Sequence, residues 1–416
     1  MRFIILFMLF SVTIFSQEKK VSEIVISNTK KMNSDFILKI IETKVGSPLD
    51  SLKVERDIVI LTRLNGVSKV EYQIDLLTNS NYKLTLNFTE SYTIIPLLNI
   101  WTTDGFGSYR LGLYEYNFLG RNTVLGGYYQ YNEFHSYGIN FSSPSLFSAN
   151  VGAEANFQKW NSKEPVFINS NKANYQYTNT SIEVLGIYKF DFQNLIKLGV
   201  AFFNEKYNYI DGATATDIPQ NLDVNKQLYK LQYTFDNLKY DYFKIDGLKS
   251  NLYLQYVVSQ NNFQDKFVIG WNDLMYYKLV GVNGNWASRL RLGLASNSKS
   301  PFAPFAVDNN INLRGVGNII DRGTGTVVLN SEYRHTLFEK NKLAIQSNLF
   351  VDAGTWRSPG GNLDDLFSSN NIKVYPGFGI RFIHKKIYNA VFRIDYGYGI
   401  TKNANNGIVF GIGQYF

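Results

Sequence analysis

The sequence predicts a mainly β protein: an antiparallel transmembrane β-barrel of about sixteen strands, preceded by one small β-α-α-β-β domain. Three observations carry this. Aromatic residues make up 16% of the 416 residues, with 29 Tyr and 31 Phe, a bias that suits strands whose amphipathic rings sit at a membrane surface. Past the first sixteen residues, no window approaches the ~20 consecutive apolar residues of a membrane-spanning helix. From residue 91 onward the apolar pattern alternates with a period of two, broken by turn chemistry, and no convincing helical period returns.

Composition removes several function classes. With 45% apolar and 18% charged residues the chain is neither disordered nor a helical membrane protein. The absence of cysteine excludes disulfides, thiol catalysis, cysteine metal sites and a lipidated N-terminal cysteine. No cofactor or metal is implied. The formal charge of +8 is spread along the chain with no basic stripe, which argues against a nucleic-acid partner.

Residues 1–16 read as a secretory signal peptide: Met1-Arg2, the apolar run Phe3 to Phe15, and a small residue, Ser16, at the cut. A membrane anchor would need a longer apolar extension. The mature chain then starts near Gln17, outside the cytoplasm.

Residues 17–90 change period repeatedly. Val21 to Ser27 reads as a strand. Ser34 can cap a helix with Ile37, Ile40 and Ile41 on one face, and Asp50 a second with Val54, Ile58 and Leu61 on one face. Two alternating strands follow, with Val70, Tyr72, Ile74 and Leu76 on one side of the first and Tyr82, Leu84, Leu86 and Phe88 on one side of the second. Residues 91–416 then divide into sixteen segments, the first near Ile94 and the last near Asn405, leaving about 20 residues per strand and connection.

The last strands alternate most clearly. Tyr388, Ala390, Phe392, Ile394, Tyr396, Tyr398 and Ile400 share one face, against Arg393, Asp395, Gly397 and Gly399. In the final segment Ile408, Phe410, Ile412 and Phe416 lie opposite Gly407, Gly411 and Gly413, one face suited to lipid and the other to a lumen. Closure follows from physics, because unpaired backbone groups cannot face hydrocarbon. Glycines in the final strand also weaken it, which favours a seam that opens.

In a long polar loop, Leu313-Arg314-Gly315-Val316 offers a cation. If Val327, Leu329 and Tyr333 face lipid, Glu332 and Arg334 face inward; if Leu349 and Val351 face lipid, Phe350 and Asp352 face inward. Both acids then face the space that Arg314 enters, and a guanidinium's planar fork suits carboxylate pairing.

Taken together, these residues make the chain resemble the BamA/TamA outer-membrane protein assembly superfamily, also called the bacterial surface antigen family. The β-α-α-β-β order resembles a POTRA domain. Glu115-Tyr-Asn-Phe-Leu-Gly-Arg121 looks like the family's strand-to-turn signature, with Asn117, Gly120 and Arg121 fitting a tight turn. Arg314-Gly315 matches the core of its lumenal loop; Gly325 with Glu332-Tyr333-Arg334 fits the next strand; Phe350-x-Asp352-x-Gly354 fits the one after. The terminal row of Phe410, Ile412 and Phe416 resembles the signal that such barrels present to assembly machinery.

The resemblance departs in three places. The family prefers an aromatic residue after Arg-Gly, and Val316 predicts a lost ring contact. The segment from Asp236-Asn237 to Asp246-Gly247-Leu248 lacks the usual proline. There is room for a single POTRA unit, and no Gly-x-Ser-x-Gly region precedes it.

The resemblance implies a non-enzymatic protein of the bacterial outer membrane, its POTRA-like unit in the periplasm, assisting insertion or translocation of other polypeptides. Its partners would be unfolded or extended clients, outer-membrane lipid, and accessory periplasmic proteins or lipoproteins. A POTRA acts by pairing a sheet edge with an extended chain. The competing readings are a passive pore or a two-partner-type secretion channel. His135, His335 and His384 are the only candidates for acid-base catalysis, and each falls near a predicted strand end.

Overall fold

The computed structural model describes residues 19–78, 81–103, 106–168, 171–213, 220–259, 266–297, 304–307, 312–316, 321–402 and 404–416. The signal-peptide segment, residues 1–16, lies outside them.

The chain opens with β1 (Val21–Ser27), α1 (Ser34–Ile40), α2 (Ser51–Thr62), β2 (Val67–Leu76) and β3 (Tyr82–Glu90). Their sheet has the order β1-β3-β2, with β1 parallel and β2 antiparallel to the central strand. Ile37, Val54, Leu61, Leu84 and Leu86 are fully buried between helices and sheet, each contributing roughly 1.5–3 kcal/mol. Asp50 caps α2 by accepting from Leu52 N at 2.9 Å. The cap of α1 is Asn33, one residue before Ser34; its side chain accepts from Phe36 N at 2.8 Å.

Tyr72 and Leu76 do not join the buried side of β2. They are exposed because β2 is the sheet edge and the core beneath it reaches only Val67, Val70 and Ile74.

The barrel follows directly. Its first strands are β4 (Ile94–Thr103), β5 (Phe106–Phe118), β6 (Thr123–Tyr131), β7 (His135–Ser143), β8 (Val151–Ile168), β9 (Asn171–Lys189), β10 (Asn194–Gly212), β11 (Asn221–Asp236), β12 (Lys239–Asp241), β13 (Lys244–Ser259), β14 (Phe267–Val280) and β15 (Gly284–Ala295). A long connection holds the short pair β16 (Phe305–Val307) and β17 (Asp321–Gly323). The wall resumes with β18 (Gly325–Lys340), β19 (Leu343–Arg357), β20 (Lys373–His384), β21 (Val391–Tyr398) and β22 (Asn406–Ile412), and β22 adjoins β4 to close the barrel.

Among the described residues, seventeen strand stretches form the closed barrel. Two of them, β11 and β12, are one strand interrupted at Asn237-Leu238, since both pair with β13. The wall therefore has the sixteen strands expected. At the interruption Gly247 takes φ +123, and a Cβ there would lie 2.3 Å from Asn237 O; this backbone solution does without a proline.

Side chains alternate across the wall. Leu349, Val351, Phe378, Phe410 and Ile412 point outward and are exposed, whereas Arg334, Asn348, Asp352 and Asp395 point inward and are buried. An apolar exterior and polar interior suit a bilayer.

Two assignments at the end of the chain need correction. β21 spans only Val391–Tyr398, so Tyr388, Ala390 and Ile400 lie off it. Phe416 is not on the outward row with Phe410 and Ile412. The strand stops at Ile412; Gly413 takes φ +86 and donates to Val391 O at 2.7 Å. That left-handed turn directs residues 414–416 into the lumen, where Phe416 packs with Leu238, Tyr277 and Ala287.

Candidate functional site

The register of the last strands builds the site. Directly opposed residues share a face, so the inner surface is laid out in rows. One row runs Glu332, Phe350, Gly377, Gly397, Gly407; the next, Arg334, Asn348, Gly379, Asp395; the next, Gln346, Arg381, Arg393, Gly411. Bulk lies on β18 and β19, and glycines on β20 to β22 leave a hollow beside it.

The loop tip fills that hollow. A Cβ on Gly397 would sit 2.2 Å from Arg314 O, and one on Gly315 (φ +100) would sit 2.6 Å from Gly397 O. Only glycine against glycine permits this approach. Gly354 likewise leaves room for Leu313, whose side chain would lie 3.1 Å from a Cβ there.

Arg314 is fully buried. Its Nε and Nη2 donate to the two carboxylate oxygens of Asp352 at 2.8 and 2.9 Å, and its backbone N donates to Asp352 Oδ2 at 2.9 Å. Nη1 donates to Glu332 Oε2 at 2.5 Å. Glu332 also accepts from Arg334 Nε at 2.5 Å and from Arg381 Nη2 at 3.0 Å. Asp395 accepts from Arg393 Nη1 at 2.9 Å and from Asn348 Nδ2 at 3.2 Å. A carboxylate taken from water must be paired and hydrogen-bonded this completely, because an unpaired buried charge costs several kcal/mol.

Aromatic rings close the guanidinium's faces. Its Cζ lies 3.6 Å from the Phe350 ring centroid and 4.4 Å from that of Tyr415. Tyr415 comes from the segment turned inward by Gly413. Arg393 lies 4.8 Å from the same ring, Arg381 Nε donates to Gln414 Oε1 at 2.8 Å, and Arg334 Nη2 donates to Phe416 O at 3.2 Å.

Val316 therefore does not leave the loop loose. It is buried with Leu313, Val328, Trp356 and Tyr375, and Tyr415 supplies a ring over Arg314 from elsewhere in the chain. The final-strand glycines also have a packing use: Gly407 lies beside the Gly315 tip, Gly411 beside the Arg393 guanidinium, and Gly413 turns the chain.

Sequence reasoning missed Arg381 and Tyr415 as members of this cluster. Arg381 had a signal, since parity within β20 puts it on the inner face with Gly377 and Gly379. Tyr415 had none, because the turn at Gly413 cancels the alternation on which parity depends.

The other motif residues lie at the barrel mouth, where the N-terminal unit is fastened. Leu119, Gly120 and Asn122 all take positive φ, and Asn117 Oδ1 accepts from Asn122 N at 2.9 Å, forming a tight turn. Gly120 O accepts from Asn33 N at 3.1 Å, and a Cβ on Gly120 would lie 2.2 Å from Lys31 O. Asn117 packs against Met32 and Gly66. Arg63, following α2, donates to Phe192 O at 2.7 Å and to Leu238 O at 2.8 Å. Tyr92, in the link to β4, exchanges backbone bonds with Lys386 and Tyr388. The Tyr388 ring lies 4.7 Å from that of Tyr116, tilted by 44°, and burial pushes its phenol up to about 12.

The three histidines do not gather. His135 Nδ1 meets Tyr129 Oη at 2.6 Å, His335 Nδ1 meets Tyr333 Oη at 3.1 Å, and His384 Nδ1 is buried without a partner among the described residues. The lumenal cluster holds charge in place through paired arginines and carboxylates.

Fold and interior together define a class: a closed barrel with an arginine-anchored loop inside it and a small α/β unit fixed at one mouth. No protein-family model and no curated protein matches the sequence. Solved structures do. BamA from Haemophilus ducreyi, in a form lacking POTRA domains 1–3, is similar at TM-score 0.54 and 14% identity, over 94% of this chain and 83% of that one. CdiB from Escherichia coli is similar at TM-score 0.62 and 11% identity over 94% and 75%, and CdiB from Acinetobacter baumannii at 0.60 and 15% over 96% and 74%. The resemblance to the BamA/TamA superfamily thus holds at the level of the fold.

Proposed function

We propose that this is a non-enzymatic outer-membrane protein that assists insertion or translocation of other polypeptides. The N-terminal unit, on the periplasmic side, engages an extended client, and the barrel templates or conducts it. The observation that carries this reading is what occupies the lumenal wall. The Arg314 loop and residues 414–416 are packed against one side of the lumen, while the N-terminal unit is bonded to several turns at the mouth. A lumen partly occupied by a loop and a chain end, each held by specific contacts, suits gated handling of a polypeptide. The shared fold with BamA and CdiB supports the same reading.

Depletion of the protein should change the abundance of particular outer-membrane or secreted proteins; an unaltered outer-membrane proteome and secretome would overturn the proposal. A passive pore predicts instead a steady ohmic conductance from the purified barrel in a planar bilayer.

A further inference from the structure

One cleft on the outside of the molecule has features that the lumenal site does not use. It lies between α1 and the β5–β6 and β7–β8 turns, with a volume of about 240 Å³. Phe36, Phe118, Phe141 and Leu146 are among its apolar lining, and Lys39 and Arg121 are its cations. Phe141 shares the outward face of β7 with Ile139, which is 61% exposed on the apolar exterior, so the cleft continues that surface.

Three cations collect there. Among the described residues neither Lys39 nor Arg121 has an ion-pair partner. Lys189 Nζ donates to Ser145 Oγ at the cleft wall at 2.7 Å, and Lys39 is near enough for the two charges to act on each other. Asp35 is the one acid in the lining. The neighbouring turns project apolar tips: Leu119 is 72% exposed and Phe147 69%. Leu119 does so at φ +55, a conformation that non-glycine residues rarely adopt. Cations and apolar side chains in one cleft, beside the apolar exterior, complement one kind of molecule.

We propose that this cleft binds an anionic phospholipid of the inner leaflet, its phosphate held by Lys39, Arg121 and Lys189 and an acyl chain lying along Phe118, Phe141 and Leu146. The inference rests on the reading of the barrel as a membrane protein. It gives Arg121 a role separate from the turn in which it sits.

The full chain is placed in nanodiscs of phosphatidylcholine with and without phosphatidylglycerol, released into detergent, and its retained lipid counted by native mass spectrometry. The native chain should keep phosphatidylglycerol in preference to phosphatidylcholine. K39Q and R121Q should each weaken that retention about fivefold, and the pair about thirtyfold, as expected for basic groups at an anionic surface. Both side chains are exposed, and heat-modifiable migration checks that the variants fold. As a second measurement, a photo-crosslinking residue at Leu146 in the otherwise native chain should capture phosphatidylglycerol selectively. Equal retention of both lipids, unchanged retention in the double variant, or displacement by glycerol phosphate alone would each overturn the proposal. A chain that enters neither bilayer would overturn the membrane reading beneath it.

Discussion

The two sides of the barrel handle charge in opposite ways. On the β18–β22 side, Arg314, Arg334, Arg381, Glu332, Asp352 and Asp395 have side chains with no exposure at all; Glu332 and Asp395 each serve three arginines, while both oxygens of Asp352 go to Arg314. On the β8–β11 side, Lys197 pairs with Glu154, Lys230 with Glu183 and Lys226 with Glu205. The first two of those pairs keep 14 to 21% of their side-chain surface. Strand length falls off only at the end of the second side, where β18 and β19 still run 16 and 15 residues. β8, β9 and β10 run 18, 19 and 19 residues, whereas β21 and β22 have 8 and 7. A membrane strand needs about 9–11 residues, so the long strands continue beyond the hydrocarbon and β21 and β22 barely span it.

The difference teaches where stability is concentrated. The long strands hold one another through extended ladders, and their ion pairs add little. The short strands have few ladder bonds and depend on what is packed inside them. This contrast can be broken by mutation.

Asp352→Ala should have the largest effect. It removes the bidentate partner of a buried guanidinium and should cost about 3–5 kcal/mol in urea unfolding of the folded barrel. Arg314→Ala should cost a similar amount, and the double variant little more than either; additive losses would mean that the two residues do not act as a pair. Next comes Gly397→Ala. Its Cβ meets backbone rather than a movable side chain, so it should cost about 1–3 kcal/mol and make the Arg314 loop cleavable by added protease. Tyr415→Ala removes one face of the arginine stack and should cost about 2 kcal/mol, with conductance rising as the lumen loosens. Glu183→Gln on the long side should stay below about 1 kcal/mol, as for other partly solvated pairs. If it matched Asp352→Ala, the two sides would not differ as described.

Much of this organisation is legible in the sequence, for a definite reason. Alternation fixes which residues face inward, so Glu332, Asp352, Arg393 and Asp395 can be put on the lumenal wall without knowing the fold's curvature. Sixteen segments can be counted because turn chemistry separates them. Parity fails where the chain stops being a strand: one left-handed residue, Gly413, moves Phe416 from the lipid row to the lumen. It also gives no information on contacts between distant segments, so the docking of Asn33 on Gly120 and of Tyr415 on Arg314 has no sequence signal. Tyr72 and Leu76 show the converse limit, an apolar row that reaches past the core beneath it.

The inward turn at Gly413 bears on the order of folding. Phe416 rests against Leu238 and Tyr277, and Tyr415 against Arg314, all on segments far upstream. Contacts between such distant parts of a chain form late, because the intervening wall must first be in place. Burial of Tyr415 and Phe416 is therefore a natural reporter of the final step of assembly. Fluorescence from a tryptophan substituted at Phe416 should change after the β-sheet signal has reached its plateau, and a change that precedes the plateau would reverse that order.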